Sequence, residues 1–401
     1  MMSAPEDAAL RRDAGRLKTG VGPRSNDDET WMRRVLALAE QGMGETNPNP
    51  MVGCVVVKGG RVVGEGFHRR AGGPHAEIVA LERAGVRARG ATLYVNLEPC
   101  AHFGRTPPCA PRLVEAGLGR VVVAMRDPNP EVDGRGLAHL RRAGIDVRAG
   151  VLQAKALLLN EPFVVACRRR RPFVLLKAAM TLDGRIATAR GESEWITSPG
   201  QRREARRLRR RYDAVLVGIG TVLEDDPLLL PRPMVHRPFH RVVLDSRLRI
   251  PLASRLARSA GRSPVWVLSR MASPRRRRLL EARGIRVVSG PRSGRHVSLD
   301  GALNALWKEG IRSLMVEGGS EVLGAFLAAR LFDQVALFRG PLLLGGRGSL
   351  PAFGGPDPAR LSQALRMSPV GPLVRRLRGG EGLEASRTPS ARLVEIWYPD
   401  D

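Results

Sequence analysis

At 401 residues and 43% hydrophobic content, the chain exceeds one typical core and reads as two domains of ordinary globular composition. No apolar run approaches the roughly eighteen residues that cross a bilayer, and the polar start MMSAPEDAALRRD has no apolar signal segment, so a cytoplasmic protein with no membrane partner is expected. A net charge of +27 admits a polyanion, but the arginines are spread over both halves without a base-stacking aromatic motif; most of the excess is expected on a solvated surface, with no nucleic acid bound. Four cysteines, Cys54, Cys100, Cys109 and Cys167, are too few and too scattered for a disulfide framework.

Residues 1–28 lack apolar periodicity and predict a disordered extension. From Asp27, DDETWMRRVLALAEQG predicts a capped amphipathic helix with Trp31, Val35, Leu36, Leu38 and Ala39 at its apolar positions. The loop ETNPNP follows; its asparagines could bond a heterocycle, although Asn-Pro pairs are also ordinary turn chemistry. MVGCVVVKGGRVVGEGF predicts a hairpin turning at Gly59 and Gly60. IVALERA, PRLVEAG and GLAHLRRAG then read as helices, interleaved with the strands TLYVNLEP, RVVVAMRDP and IDVRAGV. That alternation predicts a three-layer α/β domain with its chemistry at strand ends. VLQAKALLLNEPFVVACRRRR predicts one or two helical segments, and its closing charge run sets the expected boundary between domains 29–171 and 172–401.

The second half opens on the buried strand FVLLKAAM and continues with a helix over about residues 199–210, the strand DAVLVGIG and a short acidic turn. Strands in RVVLDSRLRIP, PVWVLS, IRVVSG and LMVEGG complete a second α/β sheet. No GxGxxG occurs in it, so an ordinary Rossmann dinucleotide site is not expected. LMVEGGSEVLGAFL instead supplies a strand, two glycines and a helix start, where backbone N–H groups can approach a phosphate.

The chemistry concentrates in GGPHAEIVALERAG and NLEPCAHFGRTPPCAPRLVEAG. His75, Cys100 and Cys109 suit zinc, and three protein ligands leave a fourth tetrahedral position for water, whose pKa such a metal lowers to roughly 7. Glu77, two residues after His75 and with no role as a fourth ligand, is the natural proton carrier. Singly, each residue has a plainer explanation as a surface histidine or a packed cysteine. Together, an HxE at a helix start, a Pro-Cys after a strand and a second cysteine match the signature of zinc nucleobase deaminases. Here the eight residues AHFGRTPP separate the cysteines, where those enzymes usually have two.

PHAE, EPCAHFGRTPPC and TNPNPMVGCVVV resemble the deaminase half of the bifunctional riboflavin-biosynthesis deaminase/reductases. TLDGRIA, GESEWITS, DAVLVGIGTVLEDDP and VEGGS follow in the order of that family's reductase half. The resemblance implies a cytidine-deaminase-like three-layer domain joined to a dihydrofolate-reductase-like domain that uses NADPH. It implies substrate contacts at Asn49, His68 and Arg105 in the first half, and at Ser193, Arg209, Leu229, Arg232 and Glu317 in the second, with Arg209 and Arg232 as phosphate clamps. Cofactor contacts are implied at Ala179, Trp195, Thr221, Asp225 and Ser246, and along Gly319, Ser320, Glu321, Val322, Leu323, Gly324 and Ala325. Leu230 stands where the family usually carries threonine or another polar residue. The implied reactions are hydrolytic deamination of 2,5-diamino-6-(5-phosphoribosylamino)pyrimidin-4(3H)-one, then NADPH-dependent reduction of its ribosyl group to give 5-amino-6-(5-phosphoribitylamino)uracil. A small phosphoribosyl pyrimidine is thus the expected partner, met by a homo-oligomer. The rival reading, a nucleic-acid deaminase, needs the shorter cysteine spacing and leaves everything after residue 171 without a role.

Overall fold

The computed structural model describes residues 25–101, 107–130, 132–270, 273–289, 292–293, 296–369 and 394–400. Most of the expected N-terminal extension, residues 1–24, lies outside them. Its last four residues do not belong to an extension, because helix α1 (Ser25–Glu40) already includes them. The cause is Asp28, which is buried and accepts hydrogen bonds from Arg120 Nη1 and Nη2 (2.8 and 2.9 Å), Arg148 Nη1 (2.7 Å) and the Tyr94 hydroxyl (2.9 Å). Burial works to raise its carboxyl, but the bonds from Arg120 and Tyr94 outweigh that and hold it below its ordinary value.

The first half is built on β1 (Gly53–Lys58), β2 (Arg61–Phe67), β3 (Thr92–Leu97), β4 (Arg120–Met125) and β5 (Asp146–Ala149), ordered β2-β1-β3-β4-β5. The hairpin and the β1/β3 pair are antiparallel, whereas β3, β4 and β5 run parallel. Gly59 and Gly60 turn the hairpin with φ of 54° and 72°, a backbone state that side chains with a Cβ rarely adopt. Strand residues alternate between two cores. Cys54, Val56, Leu93 and Val121 pack under α2 (Ala76–Ala84), α3 (Cys109–Glu115) and α4 (Arg135–Arg142). Val55, Val57, Tyr94 and Val122 face α1 and α5 (Gln153–Leu159). Three layers follow, as the alternation of elements requires.

Helix α6 (Glu161–Arg169) leads into the second half, with strands β6 (Phe173–Met180), β7 (Arg185–Ala187), β8 (Ala214–Gly218), β9 (His240–Leu244), β10 (Val265–Ser269), β11 (Ile285–Ser289), β12 (Arg292–Ser293), β13 (His296–Val297), β14 (Ser313–Val316), β15 (Gln334–Arg339), β16 (Leu350–Pro351), β17 (Met367–Ser368) and β18 (Glu395–Pro399). Nine of them form one sheet, ordered β11-β10-β9-β8-β14-β6-β15-β18-β17 and parallel from β11 to β15. The pairs β7/β16 and β12/β13 are separate ribbons. The helices are α7 (Pro199–Leu208), α8 (Ile219–Asp225), α9 (Arg255–Arg258), α10 (Pro274–Glu281), α11 (Leu299–Lys308) and α12 (Ser320–Ala328). Apolar side chains of α11 and α12 cover one face, and those of α7, α9 and α10 the other. The acidic turn expected after DAVLVGIG is helix α8 instead: Gly218 is its N-cap, and Ile219 and Val222, three apart, bury one side of the turn.

The solvated-surface reading of the arginines needs correction at several positions. Arg241 is wholly buried, with its guanidinium on the carbonyls of Leu228, Ser259 and Ser263 and the Ser259 hydroxyl. Burial lowers its pKa to about 10, so it is still charged at neutral pH. The two terminal nitrogens of its planar fork are satisfied by carbonyls and a hydroxyl, although Nε finds no partner among the described residues.

Candidate active sites

His75 is the N-cap of α2 but makes no side-chain cap hydrogen bond, and its imidazole is turned toward the thiols. Cys100 lies three residues beyond the end of β3, and Cys109 is the first residue of α3. The ligand atoms of His75, Cys100 and Cys109 all lie within 4.8 Å of one another. His75 Nδ1 is 3.1 Å from Cys109 Sγ and 3.6 Å from Cys100 Sγ. Tetrahedral zinc with ordinary bond lengths separates nitrogen from sulfur by about 3.5 Å and sulfur from sulfur by about 3.8 Å, so the donor set fits that ion in type, with Cys100 at the matching distance from His75 and Cys109 closer than bonds to one ion would hold it. The Cys109 thiol donates to Cys100, and with help from His75 this brings Cys100 down to about 4. Cys109 keeps its proton because it makes that bond and is buried.

Glu77 sits in the first turn of α2, almost fully buried and outside the ligand set. Burial raises its carboxyl above the ordinary range. It borders a cavity of about 330 Å³ that is also lined by Asn49, His68, His75, Asp127 and Phe163. His68 is buried rather than on the surface: Nδ1 donates to the Pro74 carbonyl at 3.0 Å, which leaves Nε2 to accept from Asn49 Nδ2 at 3.2 Å. Burial lowers its pKa, in keeping with a neutral ring. Asn49, His68, Glu77, His75 and Cys100 thus line one cavity, with Cys109 beside His75, whereas Arg105 lies outside the described residues.

Sequence reasoning passed over two carboxylates here. Glu98, immediately before Pro99 and Cys100, accepts from four backbone N–H groups: Asp127 (3.2 Å), Gly134 (2.9 Å), Gly136 (3.0 Å) and Leu137 (3.2 Å). Asp127 lines the cavity, and burial, with the charges of Glu98 and Cys100, raises it to about 7. Only the carboxylate beside the Pro-Cys pair was visible beforehand; its partners are main-chain groups with no sequence signature.

In the second half, the C-terminal ends of β9, β8, β14 and β6 bring together Ser246, Thr221, Glu317, Gly319 and Ala179. This is where parallel sheets bind ligands. Val322 packs so closely on Gly218 and Gly318 that a Cβ at either would approach it to 2.8 and 2.5 Å. Gly319 and Gly220 face open space, so the backbone at the start of α12 is accessible to a phosphate. Trp195 is exposed and stacks on the Arg202 guanidinium at 4.2 Å. Asp225 is also exposed; partial burial and the nearby charges of Glu194 and Glu224 raise its carboxyl, which brings the 193–195 segment close to the end of α8. Ser193, Arg232, Glu321 and Ala325 are exposed, and Ser320 is half-buried.

Four implied contacts take a different form. Leu229 and Leu323 point their side chains into the two cores of the sheet, because apolar groups at those positions complete the packing around β8 and α12. Gly324 is pressed against the Gly354 carbonyl, where a Cβ would come within 1.9 Å. Arg209 is no free phosphate clamp: Nη1 donates to the Leu230 carbonyl at 3.0 Å and Nη2 to Glu317 Oε2 at 3.0 Å, with Nε also on Glu317. Lys177, which sequence reasoning missed, sits in β6 with Nζ 3.6 Å from Glu317 Oε2. Burial alone would raise the Glu317 carboxyl, but Arg209 and Lys177 hold it at about 2.

Comparison with known proteins agrees with both halves. The cytidine and deoxycytidylate deaminase zinc-binding region matches residues 25–125, and the RibD C-terminal domain matches residues 172–371. The riboflavin biosynthesis protein RibD of Aquifex aeolicus is 44% identical over 320 residues, covering 79% of this chain and 88% of that protein. Its Escherichia coli counterpart is 43% identical over 332 residues, 79% of this chain and 89% of that one. The Acinetobacter baumannii RibD structure superposes with a TM-score of 0.80 at 36% identity, over 94% of this chain and 100% of its own. A Thermotoga maritima structure, described as a diaminohydroxyphosphoribosylaminopyrimidine deaminase/5-amino-6-(5-phosphoribosylamino)uracil reductase, gives 0.77 at 36% identity with the same coverage. With a zinc-type donor set in one half, a ligand-ready sheet edge in the other and relatives that match across both, the chain belongs to the riboflavin biosynthesis protein RibD family.

Proposed function

We propose that the first half deaminates 2,5-diamino-6-(5-phosphoribosylamino)pyrimidin-4(3H)-one, and that the second half reduces the ribosyl group of the product with NADPH to give 5-amino-6-(5-phosphoribitylamino)uracil. The observation that carries this is the convergence of His75, Cys100 and Cys109 beside buried Glu77, on a cavity large enough for a pyrimidine. Bound zinc supplies a water activated as a nucleophile at neutral pH. Glu77 takes the proton from that water and returns it to the departing amine, as its raised carboxyl and position suit. Asn49 and His68 hold the heterocycle edge.

Bound NADPH supplies hydride, and the exposed backbone at Gly319 and Gly220 suits its phosphates. Lys177 holds a proton beside the reacting end of the substrate, and Glu317 keeps it charged against the pull of burial. We place the enzyme in the cytoplasm as a homo-oligomer. Among the described residues no helix is long and apolar enough to cross a membrane, and the exposed Leu182, Leu342, Leu343 and Leu344 are an apolar patch that a second copy could cover.

Incubation with the diaminopyrimidine phosphate tests the proposal when ammonia and nicotinamide absorbance are followed together. Ammonia should appear without NADPH, and NADPH should be consumed only as the deaminated product forms. Glu77→Gln should lower ammonia release by about 10²–10⁴-fold, keep zinc and leave reduction of added intermediate intact. Loss of metal in that variant would make Glu77 a ligand and end its role as proton carrier.

A further inference from the structure

The loop that carries Asn49 to the zinc cavity is held from outside by the second half of the chain. Arg237 is nearly buried, and its guanidinium is spent on four main-chain carbonyls: Nε on Gly44 (2.8 Å), Nη1 on Pro238 (3.2 Å), and Nη2 on Arg210 (3.1 Å) and Tyr212 (2.7 Å). Asp213 Oδ1 lies 3.7 Å from Nη1. Only Gly44 among these belongs to the first half, so the fork ties that one carbonyl to three on the other side.

Its neighbours in the loop are held in the same direction. Glu45 accepts from the His236 backbone at 2.9 Å and lies 3.7 Å from Arg210 Nη2. Asn47 Nδ2 donates to the Arg211 carbonyl at 3.3 Å and lies 3.4 Å from Ser313 Oγ. Gly44 has φ of +84°, and a Cβ there would stand 3.0 Å from the Arg210 carbonyl. The grip reaches the cavity in one turn: Asn49 N donates to the Thr46 carbonyl at 2.9 Å, Thr46 is fully buried, and Asn49 Nδ2 meets His68.

We propose that Arg237 is a positioning residue for deamination, a side chain of the reductase half that sets Asn49 at the pyrimidine edge through residues 44–47. It touches no substrate. The inference rests on the zinc cavity being the pyrimidine pocket. Its consequence is directional: loosening the grip weakens substrate binding in the first half and leaves the nicotinamide reaction alone, since that reaction occupies the opposite edge of the second sheet.

Full-length Arg237→Ala, Gly44→Ala, Asn49→Ala and the double variant Arg237→Ala/Asn49→Ala decide the matter, with ammonia release, NADPH oxidation on added intermediate and zinc content measured for each. Misplacement at this distance should raise the deamination KM by about ten- to a hundredfold, with kcat near the wild-type value, reduction kinetics unchanged and zinc stoichiometric. In the Asn49→Ala background, adding Arg237→Ala should change KM little, because both act through one contact. Additive losses, an equal fall in both activities, or lost zinc would overturn the proposal. If Arg237→Ala gives no folded protein, Gly44→Ala decides, since it disturbs the same contact while Arg237 stays on Asp213 and on the three carbonyls of its own half. A wild-type enzyme that releases no ammonia overturns the pocket reading and the grip with it; normal wild-type turnover with variants that match it overturns the grip alone.

Discussion

Glu317 is ionised in the interior only because Arg209 and Lys177 surround it, and that makes it a stability element as well as part of the proposed reductase site. Its carboxyl is held at about 2, below the ordinary 4.5. A depressed folded-state value means stability that is present above the unfolded pKa and lost as pH falls through the folded one; the gap corresponds to roughly 3 kcal/mol. Glu317→Gln leaves two cations buried without an anion, so it should destabilise the protein by about 3–5 kcal/mol at pH 7. In urea titrations the gap between variant and wild type should narrow as pH falls from 4.5 toward 2; a constant gap would place the effect in packing rather than charge. At this scale the zinc site was legible and its reductase counterpart less so. His75, Glu77, Cys100 and Cys109 stand in local motifs whose spacing reports the chemistry. Lys177 is one polar letter in the apolar strand FVLLKAAM, and only its meeting with Glu317, far along the chain, marks it.

Helix α4 has glycine at its N-cap and no side-chain cap of its own. Glu98 replaces it from another element, accepting from Gly136 and Leu137 in the first turn and from Gly134 before it. The same packing brings Gly136 so near the Pro99 carbonyl that a Cβ would lie 1.9 Å away. Cys100 is therefore set by a helix that begins 35 residues later, an arrangement hidden in the sequence because its donors are backbone groups. Glu98→Ala should cost about 2–3 kcal/mol, since bonds to an ionised acceptor are stronger than neutral ones. It should also weaken zinc retention by about 10–100-fold, the usual effect of losing a group that orients a ligand. Chelator competition reads this directly, and unchanged metal release would free Cys100 from dependence on α4. Elements with clear apolar periodicity were legible. Helix α8 was not, because IGTVLED offers only two inward positions and its glycine and acids read as a turn.

The two proposed sites lie toward opposite ends of the strands of the second sheet. The first half meets the edge where β8 and β14 begin: a small cleft beside the zinc cavity is lined by Asn47 and Asn49 from one half and by Asp213, Arg312 and Ser313 from the other. Glu317, Gly319 and the start of α8 lie where those strands end. From Ser313 to Glu317 the chain advances four residues, about 13 Å at the rise of an extended strand, and the packed core of β6, β8 and β14 fills that interval. A deaminated pyrimidine cannot pass through close-packed side chains, so within one chain it must travel around the sheet through solvent. Labelled starting pyrimidine turned over with NADPH in excess unlabelled intermediate should therefore give a final product whose label falls in proportion to the dilution. Retention of label would mean that a second copy of the chain turns its reductase edge toward the zinc cavity, and the oligomer rather than the protomer would then be the unit that performs both steps.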